Sequence, residues 1–313
     1  MEQAKRDRSR GALATLPLEF VRAVRPRQWT KNLVVYLAPL FTLNEAWETS
    51  DLAGAAALAV DATVAFVVFC ALSGAVYLTN DILDRKSDRE HPVKRHRPIA
   101  SGRLPVGPAW AGAFALAAAG LAGAFALQPL FGVVSTVYLA AMAAYSLGIR
   151  RLILLDVFTI SLGFVLRTVA GAVAIDVPVS PWLYICAGLG SLFIALAKRR
   201  GELAASGAGA PSQRDTLGRY TLPLLDQLIG VVATSTIVAY SLYSFTAPNL
   251  PDNHAMMLTI PFVVYGLFRY LYLVHSKGLG ERPEDVIVGD VPLLVSIALW
   301  LATTAAILGL MRG

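Results

Sequence analysis

Apolar residues run along this chain in long blocks, broken by short polar segments. A block of about 20 apolar residues crosses a bilayer core as an α-helix. Nine such blocks stand out, at residues 31–47, 53–80, 108–127, 129–148, 152–176, 181–198, 221–246, 255–276 and 291–311. The first is the weakest, because its uninterrupted apolar stretch runs only from Leu33 to Leu43. The second is longer than a membrane needs and contains Asp61. The pattern predicts an all-α integral membrane protein, a bundle of nine transmembrane helices.

Composition agrees. Of 313 residues, 56% are hydrophobic and 15% charged, against roughly 25% charged in soluble domains. The net charge of +6 taken alone suggests nucleic acid, but its distribution points to topology. Lys and Arg number eight up to Lys31, seven between Arg85 and Arg103, two at Arg150-Arg151, five in 198–220 and two in 277–290. The alternate loops, at 48–52, 128, 177–180 and 247–254, carry none. The positive-inside rule then predicts a multi-pass protein of the cell membrane with a cytoplasmic N-terminus. An odd number of spans puts the C-terminus outside.

Residues 1–25 are expected to be a cytoplasmic segment, disordered to about Gly11 and then a short interfacial helix over 12–25. Residues 26–313 are expected to form one membrane domain, with 204–213 a flexible linker. No apolar core of signal-peptide type occurs in residues 1–32. Cys70 and Cys186 sit in apolar runs without metal or redox spacing, which suits buried inert thiols. Trp29 and Trp47 bracket the first block as interfacial aromatics.

The second block runs into Asn80-Asp81-Ile82-Leu83-Asp84-Arg85-Lys86-Ser87-Asp88. Asp81, Asp84 and Asp88 stand at i, i+3 and i+7, one face of a helix. Hard oxygens at this spacing suit Mg²⁺, which takes a few carboxylates plus substrate phosphates. Asn80, Asp81, Asp84 and Asp88 are therefore the candidate metal set. Lys94, Arg95 and Arg97 follow as candidate phosphate partners.

Other polar clusters fall on the same predicted side: Arg25-Pro26-Arg27-Gln28-Trp29-Thr30-Lys31-Asn32, Tyr145 with Arg150, and Lys198-Arg199-Arg200-Gly201-Glu202. Asp156 and Arg167 lie 11 residues apart, three turns of one helix face. Ionisable groups in a span are costly and face an interior cavity or a partner. The bland readings are topology anchors for the basic runs and an ion pair for Asp156 with Arg167. His91, His96, His254 and His275 have no ligand spacing. Together these positions describe a polar pocket opening to the cytoplasm, and a Mg²⁺-dependent transferase acting on a phosphorylated lipid.

At these residues the chain resembles the UbiA superfamily of intramembrane prenyltransferases. The resemblance rests on Asn-Asp-x-x-Asp-x-x-x-Asp at 80–88 and Arg-Pro-x-x-Ser-Gly at 97–102. Four further segments are similar to a phosphoribosyl-transferring branch: Arg25-Pro26-Arg27-Gln28-Trp29-x-Lys31-Asn32, His91-Pro92-x-Lys94-Arg95, Lys198-Arg199-x-x-Glu202-Leu203 and Pro283-Glu284-Asp285. The resemblance runs over roughly residues 20–310. Aromatic prenyltransferases of the superfamily carry a second aspartate-rich motif after the sixth span. Here that position is basic, which suits additional phosphate.

The resemblance implies transfer of 5-phosphoribosyl from phosphoribosyl diphosphate (PRPP) to a polyprenyl phosphate such as decaprenyl phosphate, for cell-wall arabinan precursors. On that reading Asp81 and Asp84 hold Mg²⁺ with Asn80 and Asp88 nearby, and Asp156 faces the ribosyl centre. Arg27, Gln28, Lys31, Asn32, Lys94, Arg95, Arg97, Tyr145, Arg150, Arg167, Lys198, Arg199 and Glu202 are the implied substrate contacts. Membrane lipids are expected neighbours, nucleic acid is not, and a homo-oligomer is left open. The rivals are an aromatic prenyltransferase of the same fold and a lipid transporter. A transporter would need charged positions on both sides or at the midplane.

Overall fold

The structure is a computed structural model that describes residues 16–48, 50–206, 217–247, 250–280 and 283–311. Every element in it is helical, apart from one isolated bridge between Leu43 and Trp47. In chain order these are α1 (16–23), a 3₁₀-helix Pro26–Tyr36, α2 (Leu37–Phe41), α3 (Leu52–Leu83), α4 (Arg85–Glu90), α5 (Val106–Leu127), α6 (Pro129–Leu147), α7 (Leu155–Ala174), α8 (Pro181–Ser206), α9 (Leu222–Thr246), α10 (Ile260–Ser276), α11 (Pro283–Gly289) and α12 (Val291–Met311). The disorder expected before Gly11 and most of the 204–213 linker lie outside the described residues.

Eight segments are long and apolar enough to cross a membrane. They match the expected blocks from the second to the ninth within a few residues, except that α8 runs on to Ser206. The first block differs. Residues 31–47 do not form a membrane-length α-helix; an 11-residue 3₁₀-helix passes into the five-residue α2. A 3₁₀ run of this length is uncommon. Pro26 opens it and Pro39 limits its continuation as an α-helix. By rise per residue the two pieces still extend about 30 Å.

The chain groups into two compact units. The first comprises residues 1–33 and 63–143. Its core gathers Ala23 and Val24 with Leu78, Ile99, Leu104, Ala109 and Ala113, and Phe20, Trp29 and Ile82 pack against them. Gly112 on α5 lets the Phe20 ring lie directly on the helix backbone, where a Cβ would collide with it. Glu19 of α1 accepts from Arg103 Nε at 2.9 Å and from Arg22 at 2.6 Å. Phe69, Phe131 and Tyr138 form a second buried aromatic group.

The second unit comprises residues 34–62 and 144–313. Its main core is built on α7, α8, α9 and α10, from Val157, Phe193, Leu196, Leu225, Ile229, Tyr270 and Leu273. Gly171 on α7 allows the Val35 backbone carbonyl to approach where a Cβ would overlap it. Asn44, at φ +55°, donates its amide to the terminal carbonyls of α12, Leu308 O at 3.2 Å and Gly309 O at 3.0 Å. These carbonyls would otherwise lack a partner at the helix end.

Candidate functional site

In the first unit the acidic motif sits where α3 ends. Asp84 leaves the helix briefly, at φ −87° and ψ 1°, before α4 begins. The i to i−4 bonds continue across it, Asp84 N to Asn80 O at 2.9 Å and Asp88 N to Asp84 O at 2.8 Å. The helical face therefore survives the break, and one guanidinium reads it. Arg97 Nη1 donates to Asp81 Oδ1 at 3.1 Å and to Asp88 Oδ2 at 2.6 Å. Arg25 also donates to Asp81 Oδ1. Its backbone stands at φ +55°, immediately before Pro26, and its guanidinium lies over the Tyr77 ring.

Asp81 is 1% exposed and Asp88 3%. Two buried oxygens on neighbouring residues, Asn80 Oδ1 and Asp81 Oδ2, have no hydrogen-bond partner. An orphaned buried acceptor is costly. Two hard oxygens left open in this way fit a Mg²⁺ that draws its remaining ligands from phosphate and water. Among the described residues no three His, Cys, Asp or Glu side chains converge on one point.

The other expected residues of this unit divide. Lys94 and Arg97 are half-buried and Arg95 exposed, around the 3₁₀ turn Lys94–His96. Arg27 is exposed, and Gln28 and Lys31, three apart, share a face of the 3₁₀-helix, half-buried. Asn32, expected as a substrate contact, packs inside the unit. It is 0% exposed, donates to Cys70 Sγ at 3.4 Å and accepts from Ser73 Oγ at 3.3 Å, so its amide ties the 3₁₀-helix to α3.

In the second unit a polar network centres on Asp156, 1% exposed in the first turn of α7. Its Oδ2 accepts from Arg199 Nε at 2.7 Å and its Oδ1 from the Tyr220 hydroxyl at 2.8 Å. Arg199 also donates to Glu202 Oε2 at 2.6 Å and to the Tyr145 hydroxyl at 3.3 Å. Lys198 Nζ lies 3.9 Å from Glu202 Oε1. The Tyr220 oxygen accepts from Leu154 N at 2.8 Å, fixing the turn before α7, where Leu154 takes φ +67°. Burial, and then donation to Asp156, pushes the Tyr220 phenol above its ordinary range.

An ion pair of Asp156 with Arg167 is not formed. Eleven residues of helix separate them by about 16 Å, and Asp156 pairs with Arg199 instead. Arg167 is buried, donates to Gly163 O at 3.0 Å and lies over the Phe164 ring. Arg150 is half-buried in the 3₁₀ turn Ile149–Arg151. Arg200 joins a separate brace with Asp226, whose Oδ1 lies 3.0 Å from His275 Nε2. Tyr220 is a functional candidate absent from the sequence reading, and Arg25 was read there only as part of a polar cluster, without a role of its own. Arg25 was signalled by the Pro that follows it, which disfavours helix at the preceding residue; Tyr220 carried no local signal.

Toward the other end of α7 and α8, roughly 20 Å along the helix axes from this network, the second unit encloses a cavity of about 520 Å³. Phe41, Trp182, Cys186, Tyr240, Tyr243 and Trp300 line it. Its polar groups are largely spent on protein: Trp300 Nε1 donates to the Tyr240 oxygen at 2.7 Å, and Thr236 bonds Val232 O at 2.8 Å.

Residues 50–284 match the model of the UbiA prenyltransferase family. The chain is 35% identical over 293 residues to the decaprenyl-phosphate phosphoribosyltransferase of Mycobacterium tuberculosis, covering 94% of this chain and 95% of that one. It is 35% identical over 295 residues to the enzyme of the same name from Mycolicibacterium smegmatis, covering 91% of each. The fold is shared with a UbiA homolog from Archaeoglobus fulgidus bound to GPP and Mg²⁺, at a TM-score of 0.70 and 18% identity, over 93% of this chain and all of that one. With eight membrane-length helices and similarity along nearly its whole length, the chain belongs to the UbiA prenyltransferase family and is an integral-membrane transferase.

Proposed function

We propose that the chain transfers 5-phosphoribosyl from PRPP to a polyprenyl phosphate, decaprenyl phosphate in the names its relatives carry, for cell-wall arabinan precursors. The observation that carries this reading is the 35% identity to two relatives so named, over nine-tenths of their lengths. The basic Lys198–Arg199 pair on α8, standing where aromatic prenyltransferases carry aspartates, supports it. The ribosyl C1–O bond to diphosphate breaks, an oxygen of the lipid phosphate bonds to C1, and diphosphate leaves. We assign the reaction to the cytoplasmic side of a nine-crossing protein, with the 3₁₀-helix and α2 as the first crossing. Residues 26–313 then act as one transferase domain.

Bound Mg²⁺ would neutralise charge on the departing diphosphate. Asn80, Asp81 and Asp84 would hold it. Lys94, Arg95 and Arg97 bind diphosphate oxygens. Arg27, Lys31 and Lys198 bind the two monophosphates, with Gln28 and Arg150 beside them. Asp156 has both oxygens occupied by Arg199 and Tyr220, so it acts as a fixed negative charge and not as a nucleophile. Positive charge developing on the ribosyl ring is what such a charge stabilises. Tyr145 and Glu202 hold Arg199 in place. The acceptor phosphate is already an anion and needs positioning, not deprotonation. The apolar cavity of the second unit suits the hydrocarbon of a lipid substrate.

The test uses purified protein with labelled PRPP, Mg²⁺ and polyprenyl phosphate. Label is expected in the lipid phase. Transfer only from a prenyl diphosphate onto an aromatic acceptor would overturn the reading.

A further inference from the structure

α7 begins on a strained residue. Leu154 precedes it at φ +67° and ψ −45°, outside even the left-handed helical region, where ψ is positive. Leu155 N donates across it to Ile153 O at 2.8 Å, closing the rare form of γ-turn. Asn44, Asp176 and His254 also take positive φ, but their side-chain types are enriched there and leucine is not. Asp156 N then reaches back to Leu152 O at 3.1 Å. The turn thus supplies the first acceptors of a helix that has no side-chain cap. Where α7 starts, and with it the direction of Asp156, is set at Leu154.

Side-chain packing holds this turn weakly. Ile153 packs on the core, whereas Leu152, Leu154 and Leu155 are exposed. The Leu154 N–H is gripped by Tyr220, whose oxygen accepts it at 2.8 Å. The phenol proton then goes to Asp156 Oδ1, also at 2.8 Å. The directions are forced, because the amide nitrogen can only donate. One hydroxyl therefore holds both the turn and the carboxylate two residues further on. Tyr220 is itself fixed. Its ring belongs to the buried core with Val157 and Leu225, between the 3₁₀ turn Leu217–Arg219 and Thr221, the N-cap of α9.

We propose that Tyr220 is a positioning residue that holds the strained turn at Leu154 and so aims Asp156 at the substrate. Its proton is committed to Asp156, so it neither gives nor takes a proton in the reaction. A strained turn persists only where its surroundings over-determine it. Without the hydroxyl, Leu154 relaxes toward ordinary backbone and α7 loses its fixed start. The inference rests on the reading that Asp156 faces the reacting sugar, while the state of the turn is measured without substrate.

Hydrogen–deuterium exchange of detergent-purified protein, read by mass spectrometry, tests the grip. Y220F is expected to speed exchange in peptides covering 152–158 about tenfold or more, the scale of a lost hydrogen bond in a locally opened segment. Exchange in α12 should stay at the wild-type rate. Wild-type exchange at 152–158 in the variant would overturn the proposal.

Relief of strain supplies the second readout. Glycine adopts positive φ without a Cβ penalty, so L154G removes the need for a grip. Y220F is expected to lower kcat for PRPP transfer about tenfold in the wild-type chain and less than about threefold in the L154G chain. Equal losses in both backgrounds would mean that Tyr220 acts without the turn, and would also overturn the proposal. Wild-type protein that transfers nothing from PRPP, with the exchange result intact, would count against the proposed reaction alone.

Discussion

Arg199 donates to three oxygens, on Asp156, Glu202 and Tyr145, from a position 3% exposed. A planar guanidinium reaches three acceptors that an ammonium does not. Removing one member of a buried pair leaves an uncompensated charge, costing about 3–5 kcal/mol. Arg199→Gln should therefore lower the Tm in detergent by several degrees and abolish turnover, with Arg199→Lys recovering only part of the stability. A Tm within a degree of wild type would dissolve the network's structural role. Tyr220→Phe removes the donor to Asp156 Oδ1, and kcat should fall more than substrate affinity; a rise in KM alone would make Tyr220 a binding residue. The spacing of Asp81, Asp84 and Asp88 was legible because a helix has a fixed period. The partner of Asp156 was not, since Asp156, Arg199 and Tyr220 stand on separate elements and no local pattern links them.

Among the elements, membrane-length helices apart from the end of α8 were read to within a few residues, because hydrophobic length alone defines them. The 3₁₀-helix was not, because its packing on α7 depends on one distant glycine. Gly171→Ala places a methyl against the Val35 carbonyl. An overpacked contact of this kind costs about 1–3 kcal/mol. The expected result is a lowered Tm with faster proteolysis within 26–41, and an unchanged cleavage pattern would refute the contact. The docking of α1 carries a pH signature. Burial raises the Glu19 carboxyl, but Arg103 and Arg22 outweigh it and hold the group below its ordinary 4.5. A lowered folded-state value contributes stability that is present above 4.5 and lost as pH falls through the lower folded value. Thermal unfolding of wild type and Glu19→Gln should accordingly differ at pH 7 and converge toward pH 3; a constant difference would exclude this linkage.

For the molecule as a whole, apolar side chains cover the outside. Phe114, Val231, Phe268, Val295 and Leu310 are all exposed, a cost in water and none in hydrocarbon. Basic residues concentrated in alternate connections, all of the 27 but Arg167, Arg269 and Arg312, complete the same pattern. The cavity of the second unit has a chemical consequence of its own. The chain has two cysteines: Cys70 is buried with Asn32 against its sulfur, while Cys186 is half-buried in the cavity wall. A membrane-permeant maleimide should alkylate Cys186 and spare Cys70, with mass spectrometry reporting the site. The rate should fall when a long-chain polyprenyl phosphate is added and hold steady with a short-chain one. Equal rates would mean that the cavity takes no hydrocarbon. A rate that falls in this way would make Cys186 a native reporter of lipid occupancy, readable without introducing a single foreign residue.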